Sequence, residues 1–292
     1  MGEGVILLAG YRRSPTALAL LWALKRRARD VPPVKAVFCV TEFSPGRWRQ
    51  WRRRFGPESF ARMRSALGRR SASIHDSEYA MYRERLHEWG VSHRSLRSLC
   101  RELGVPFHVV RGYDTPGVLR LVDRYTPYAG LFTGGGILRA PFLERFPGGV
   151  LNIHSAWLPH IRGLNAAEWS LYHGMQPAAT VHVMDRGIDT GPILARRLIE
   201  VGRGEPLGRI RARVVLRGLD LLLEILPAFM RGALAQEANP KEQGRQYYTM
   251  APALRDLVQH WIDAGVTPVC PPATVAPDDL RPAPQRCHSQ GP

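Results

Sequence analysis

Residues 150–192 read VLNIHSAWLPHIRGLNAAEWSLYHGMQPAATVHVMDRGIDTGP. The run 150–153 at the start of this stretch is mostly apolar and predicts a strand. Asn152 and His154 are two residues apart, so their side chains leave the same face of that strand at its carboxyl end. Because an open parallel sheet binds its ligands beyond the carboxyl ends of its strands, we expect both side chains to face a ligand.

A carboxylate at Asp189 completes a set of groups suited to acyl transfer. Attack of an amine on an acyl carbon passes through a tetrahedral intermediate, whose oxyanion needs fixed hydrogen-bond donors and whose nitrogen must lose a proton. The amide of Asn152 and the imidazole of His154 can meet these two needs. Asp189 lies in a glycine-flanked turn, from which its carboxylate would orient the imidazole, raise its basicity or hold a water that relays the proton.

The wider pattern of this stretch resembles that of the folate-dependent formyltransferases. The residues that carry the resemblance are Asn152, His154, Leu158-Pro159, Gly163, Gly174, Thr180, His182, Asp189 and Gly191-Pro192. The family includes enzymes that formylate glycinamide ribonucleotide, methionyl-tRNA and amino sugars. The resemblance implies 10-formyltetrahydrofolate as co-substrate and Asn152, His154 and Asp189 as catalytic residues. Many members carry Pro-Ser after the histidine, whereas this chain has Ser155-Ala156, so the role of the family's serine is not carried over.

Alternating strand and helix patterns on both sides of this stretch predict an α/β fold. Strands are predicted at 5–8, 34–40, 107–110, 128–132, 150–153, 180–184 and 193–201, with helices at 14–27, 95–103 and 116–125 and a closing helix through 210–225. This alternation predicts a doubly wound, mainly parallel, Rossmann-type sheet. We therefore predict a formyltransferase-like catalytic domain over 1–232, a short C-terminal extension over 233–267 and a disordered, proline-rich tail over 268–292.

A second loop follows the predicted strand 128–132. It reads Thr133-Gly-Gly-Gly-Ile-Leu138, and three glycines allow backbone groups to approach a planar ligand closely, although a phosphate-binding loop is the competing interpretation. The family resemblance implies that this loop and the segment 183–189 line the folate site. The residues assigned to folate on that basis are Gly135, Ile137, Leu138, Val183, Asp185 and Ile188.

The turn after the first strand lacks the G-x-G-x-x-G pattern of a dinucleotide-binding site, which disfavours a nicotinamide enzyme. Arg12 and Arg13 stand there at a predicted helix start, with Ser14 as the cap. These arginines could hold an anionic part of the substrate or form a solvated basic turn. Further candidates for the acceptor site are Asn165, Glu168 and Trp169.

A basic segment over residues 44–98 interrupts the predicted α/β pattern. It carries thirteen arginines against five acidic residues, in a chain whose formal net charge is +16. Arginine interleaved with tryptophan suits nucleic acid, anionic membranes and phosphorylated substrates, and equally a solvated helical insertion. The helical spacing of Met81, Tyr82, Leu86 and Trp89 predicts that part of the insertion packs on the core or covers the mouth of the site.

Composition gives the remaining expectations. Four cysteines without C-x-x-C spacing predict a reducing compartment and no metal site, and the absence of a leader or a long apolar run predicts a cytoplasmic protein with no membrane span. The sixty residues after the catalytic domain differ from the basic β-rich domain of tRNA-formylating relatives, which makes tRNA an unlikely partner. Homodimerisation stays open.

We therefore predict an N-formyltransferase that moves the formyl group of 10-formyltetrahydrofolate to a small primary amine. The acceptor classes are an amino sugar, a nucleotide-linked sugar or an amino-acid derivative. Two alternatives remain at this point. One is a formyltetrahydrofolate hydrolase, in which water is the acceptor. The other is a non-catalytic polyanion-binding protein on the same fold, motivated by the arginine and tryptophan residues of the insertion.

Overall fold

A computed structural model of the chain describes residues 4–26, 30–40, 74–91 and 95–265, without the side chains of 74–76. Its centre is a seven-stranded sheet. The strands are β1 (Val5–Ala9), β2 (Val34–Val40), β3 (Phe107–Val110), β4 (Ala129–Phe132), β5 (Gly149–His154), β7 (Ala178–Val183) and β8 (Ile193–Leu198), in the order β3-β2-β1-β4-β5-β7-β8. Two short strands, β6 (Ile161–Gly163) and β9 (Arg245–Tyr247), pair separately in parallel.

The sheet is parallel from β3 to β5, and β7 is antiparallel to both of its neighbours. The predicted α/β, mainly parallel fold is therefore confirmed. The helices are α1 (Pro15–Arg26), α2 (Ile74–Glu88), α3 (Leu96–Glu102), α4 (Pro116–Tyr125), α5 (Ala140–Leu143), α6 (Ala166–Tyr172), α7 (Leu207–Met230) and α8 (Pro252–Ala264), and a 3-10 turn spans Lys241–Gln243.

The sheet is covered on both faces, because successive side chains of a strand point to opposite sides. In β1, Leu7 packs into the core beneath α1, α3 and α7. Its neighbour Leu8 packs into the opposite core with α4 and α5. Ser14 caps α1 as predicted, with its Oγ accepting from the Ala17 N–H at 3.3 Å.

Part of the basic insertion packs on the main core. Tyr82 of α2 is buried there, with Met81, Leu86 and Trp89 packed against the same cluster. This agrees with the prediction from their helical spacing. The rest of the insertion, 44–73 and 92–94, and the proline-rich tail 268–292 lie outside the described residues.

The segment after α7 returns to the sheet, where β9 pairs with β6. Neither short strand was predicted, because three-residue strands carry too little periodicity to stand out in a sequence. Cys39 and Cys100 are buried free thiols. Within the described ranges, no helix is long and apolar enough to cross a membrane, and no cluster of metal-ligating side chains is found.

Candidate active site

A cavity of about 790 Å³ lies at the carboxyl ends of β4 and β5. The loop after β4, the end of β5 and the loop after β7 form one part of its lining, and α6, α7 and the segment around β9 form another. Because β4 and β5 are parallel, their carboxyl ends lie at one edge of the sheet, which explains why the loop after β4 meets the end of β5. β7 runs antiparallel to β5, and the loop that follows β7 returns to this edge. Asn152, His154 and Asp189 all line this cavity.

The Asp189 carboxylate faces two imidazoles. Its Oδ2 lies 3.4 Å from Nδ1 of His154, and its Oδ1 lies 3.6 Å from Nε2 of His182. The backbone N–H of Gly163 donates to Oδ2 at 2.9 Å, which fixes the carboxylate from a third side. The three groups that sequence reasoning placed together therefore do lie together, although Asp189 arrives on a separate loop.

His154 is held at both ring nitrogens. Its Nε2 lies 2.8 Å from the Ile161 carbonyl, an acceptor only, so this nitrogen carries a proton and donates. Its Nδ1 faces the Asp189 carboxylate, so a proton there would be shared between imidazole and carboxylate. The geometry suits His154 to taking up and releasing a proton at Nδ1.

Asn152 is oriented by His182, a residue that the sequence pattern contained but to which it assigned no role. The Asn152 Nδ2 lies 3.1 Å from the His182 Nε2, and the His182 Nδ1 lies 3.1 Å from the Val183 carbonyl. A His182 that donates through Nδ1 accepts through Nε2, which uses one N–H of the Asn152 amide. The second N–H of that amide is then available to an oxyanion.

The charges at this site follow from its burial. Burial opposes ionisation of Asp189, but the positive charges that His154 and His182 carry when protonated, together with the Gly163 N–H, outweigh it and hold the pKa of that carboxyl far below its usual range. Burial is the main cause that lowers the pKa of His154, and the nearby Asp189 only partly offsets it. At neutral pH the pair is therefore a carboxylate beside a neutral imidazole, ready to accept one proton.

The glycine loop after β4 lines another part of the cavity. Gly134, Gly135 and Gly136 all have positive φ, between 104° and 126°, which other residues rarely adopt. A Cβ on Gly135 would also lie 2.8 Å from the Tyr113 ring, whose hydroxyl donates to the Ala9 carbonyl. The loop thus needs glycine for its close packing on the end of β1.

Apolar side chains follow this loop and face the cavity. Ile137 is 74 % exposed and Ile188, from the loop after β7, is 36 % exposed, although large apolar side chains usually avoid water. Leu138 also lines the cavity and is buried. Asp185 shapes the loop by accepting from the Gly187 N–H at 2.9 Å and the Thr190 hydroxyl at 2.6 Å.

A charged cluster lines the α6 and α7 side of the cavity. Glu168 is 1 % exposed and accepts from the Asn165 Nδ2 at 2.7 Å. Arg211 of α7 places Nη1 3.5 Å from Glu168 and Nη2 3.7 Å from Glu78 of α2. The inserted helix α2 therefore contributes a carboxylate to the cavity, a contribution that sequence reasoning did not assign to any residue.

Four predicted site residues do not line the cavity. Arg12 and Arg13 are exposed on the turn after β1. Trp169 packs at 4.8 Å between ring centroids on Tyr247 and donates to the Tyr248 carbonyl. Val183 packs against Gly149, so it supports β5. Their direct binding roles remain predictions, whereas the other predicted binding residues line the cavity.

Comparison with known proteins gives the same family as the residue pattern. Residues 119–226 match the formyl transferase family model. The methionyl-tRNA formyltransferase of Myxococcus xanthus (strain DK1622) is 30% identical over 149 residues, 50% of this chain and 48% of that protein. That of Halorhodospira halophila (strain DSM 244 / SL1) is 36% identical over 109 residues, 37% of this chain and 35% of that protein. The chain spans about half the length of such curated relatives, or less.

Solved structures show the same fold over more of the chain. A sugar N-formyltransferase from Shewanella sp FDAARGOS_354 superposes with a TM-score of 0.56 at 14% identity, covering 89% of this chain and 87% of that one. Glycinamide ribonucleotide transformylase 1 from Symbiobacterium toebii gives 0.52 at 21% identity, covering 80% and 91%. The fold expected from residues 150–192 is therefore confirmed, and the family match over residues 119–226 agrees with the resemblance drawn from that stretch.

Proposed function

From the premise that this chain belongs to the folate-dependent formyltransferase family, we propose that it transfers the formyl group of 10-formyltetrahydrofolate to a primary amine. One observation carries the proposal. Asn152, His154 and Asp189 lie together at a cavity whose lining has an apolar, glycine-rich side and a charged side. Two chemically different linings suit two different substrates that meet at the catalytic residues.

The chain's groups match the steps of the transfer. The amine nitrogen attacks the formyl carbon, and the second N–H of Asn152 donates to the oxyanion that forms. The nitrogen loses a proton, which the neutral His154 takes up at Nδ1 with the Asp189 carboxylate stabilising the imidazolium. The bond from the formyl carbon to N10 then breaks, and the proton goes to N10. The products are an N-formyl amine and tetrahydrofolate.

The apolar side of the cavity fits the pteridine ring of the folate. Ile137, Leu138 and Ile188 offer apolar contacts, and the glycine loop exposes its backbone close to the cavity. A heteroaromatic ring needs both apolar surface and backbone hydrogen bonds at its edge. We therefore assign this side to folate, with Gly135 and Asp185 beside it.

The charged side of the cavity would receive the acceptor. One wall of the cavity presents carboxylate, amide and guanidinium groups, from Glu168, Asn165, Arg211 and Glu78. Such groups recognise the hydroxyl, amino and carbonyl substituents of a small polar molecule. This supports a small amine, in the range of amino sugars, nucleotide-linked sugars and amino-acid derivatives, as the acceptor.

Initiator tRNA is the second candidate acceptor, because the curated relatives are named methionyl-tRNA formyltransferases. Their similarity to this chain covers about half of their length or less. It therefore supports formyl transfer more directly than it supports tRNA as the acceptor. A small-molecule acceptor is favoured by the fold likeness to a sugar N-formyltransferase, which covers 89% of this chain and 87% of that one.

The test is an acceptor screen with the full chain and 10-formyltetrahydrofolate. Amino sugars, nucleotide-linked amino sugars, amino-acid amines and initiator methionyl-tRNA are assayed separately, and mass spectrometry detects the N-formyl product. Transfer to a small amine that is lost in His154→Gln supports the proposal. Transfer to tRNA alone corrects the acceptor. Formate release that no amine alters indicates a hydrolase, and salt-sensitive polyanion binding without folate affinity indicates a binding protein.

A further inference from the structure

The backbone at Asp189 adopts an unusual conformation. Its φ is 53°, in the left-handed region that residues other than glycine seldom occupy. The turn is also tightly folded, because a Cβ on Gly191 would lie 1.9 Å from the Val183 carbonyl. A backbone in a sparsely populated region persists only when its surroundings hold it there. The groups that hold this turn therefore decide where the carboxylate points.

Asn239 holds this turn through its backbone carbonyls. Its Nδ2 donates to the Asp189 carbonyl and to the Gly191 carbonyl, each at 2.9 Å. A side-chain amide has two N–H donors, so both are used on this one turn. Asn239 is 8 % exposed, which keeps water from competing for these bonds.

The oxygen of the same amide indicates what the residue is for. Asn239 Oδ1 is buried and has no hydrogen-bond partner among the described residues. A buried acceptor without a partner costs free energy, so the oxygen does not account for an amide at this position. The benefit that offsets this cost lies in the two N–H donors, and both are directed at the Asp189 turn.

Asn239 is itself fixed on both sides along the chain. Before it, the backbone of Glu237 exchanges two hydrogen bonds with Ile193 at 2.8 and 2.9 Å, and its carboxylate accepts twice from Arg196 at 2.6 Å. After it, the buried guanidinium of Arg162 donates to the carbonyls of Lys241 at 2.8 Å and Gly244 at 3.0 Å. An amide anchored in this way can impose a conformation on the loop it contacts.

We propose that Asn239 is a positioning residue of the active site, which holds the Asp189 turn so that the carboxylate reaches both His154 and His182. The segment that follows α7 is then part of the catalytic site, since β9 also pairs with the strand whose Gly163 N–H binds the same carboxylate. The geometric part of this inference stands by itself, and only its effect on turnover rests on the proposed function.

The test follows the Asp189 carboxyl by ¹³C NMR between pH 7 and pH 3 in wild type, Asn239→Ala and Lys241→Ala. In wild type, His154, His182 and the Gly163 N–H keep the carboxyl ionised over this range, with the Arg162 charge nearby adding to the effect. In Asn239→Ala we expect the turn to relax and the carboxyl to titrate within the range, toward the ordinary aspartate pKa of about 3.9. Lys241→Ala removes an exposed side chain of the same segment and should titrate as wild type does.

The outcomes separate a positioning role from a merely structural one. If Asn239→Ala melts at a lower temperature but its Asp189 carboxyl still stays ionised to pH 3, the proposal is overturned. If the alanine variant does not fold, Asn239→Ser, which retains one donor, is measured under the same criterion. In formyl transfer, Asn239→Ala should lower kcat by about tenfold or more, because misplacing a catalytic group is costly. If the Asp189 carboxyl titrates in Asn239→Ala but the wild-type protein transfers no formyl group, the positioning role is supported and the proposed function is refuted.

Discussion

Oδ2 of Asp189 lies 3.4 Å from Nδ1 of His154, although the two residues come from different strand ends and β5 and β7 run antiparallel. The pairing gives a buried imidazole a negative partner at the one nitrogen that the Ile161 carbonyl does not occupy. The Asp189 carboxylate therefore stabilises the imidazolium that forms when His154 takes up a proton at Nδ1.

Replacing His154 with glutamine should nearly abolish transfer. The side chain remains polar and similar in length, but it cannot take up a proton, so kcat should fall by about 10² or more. Steady-state kinetics with the acceptor found in the screen measures the loss. Binding of 5-formyltetrahydrofolate should persist in the variant, and near-normal kcat would remove His154 from the mechanism.

Stability should decrease on acidification in two steps. His154 has a lowered pKa in the folded protein, so the unfolded chain takes up its proton first, and stability is lost as pH falls below about 6.5. Asp189 also has a lowered pKa, and its contribution is lost below about pH 4. Thermal melting from pH 8 to pH 3 shows both steps.

Variants assign each step to its residue. His154→Gln should reduce the pH dependence of the melting temperature between pH 6.5 and 5. The reduction should be partial, because burial also lowers the pKa of His108. Asp189→Asn should flatten the pH dependence of the melting temperature below pH 4, again only in part, because hydrogen bonds from Arg196 also lower the pKa of Glu237. An unchanged acid profile in both variants would contradict the charge states assigned to the pair.

Gly163 should not tolerate a side chain. Its φ is 96°, and a Cβ there would lie 2.0 Å from the Tyr247 carbonyl, so Gly163→Ala must separate β6 from β9. We expect a loss of more than about 2 kcal/mol in unfolding free energy, together with a fall in activity as the Asp189 contact loosens. Gly112→Ala has open space around its Cβ and should stay within about 0.5 kcal/mol of wild type. Equal stability of the two variants in urea would refute this account.

The inserted helix should contribute to acceptor affinity. Glu78→Gln removes one charge from the cluster around Arg211 and should raise the acceptor KM by about tenfold, with little change in folate binding. Glu84→Gln alters an exposed carboxylate on the same helix and should have no effect. If both variants keep the wild-type KM, α2 takes no part in acceptor recognition.

Sequence reasoning was most informative where one short pattern carried the structure. The two-residue spacing of Asn152 and His154 placed both at the end of a strand, and Ser14 identified the start of α1. The contacts it missed depend on segments far apart in the chain. Asn239 reaches Asp189 because the chain returns to the sheet after α7. The local periodicity of a sequence does not predict such a return.

The most direct test of the account is calorimetric titration of the full chain with 5-formyltetrahydrofolate, a stable analogue that does not donate its formyl group, in wild type and Asp189→Ala. Binding on the order of micromolar is expected in wild type, because the cavity offers folate both apolar and polar contacts. Asp189→Ala should weaken that binding, because the loop that carries Asp189 lines the folate side. No binding by the folded wild-type protein would contradict the assignment of this cavity to folate.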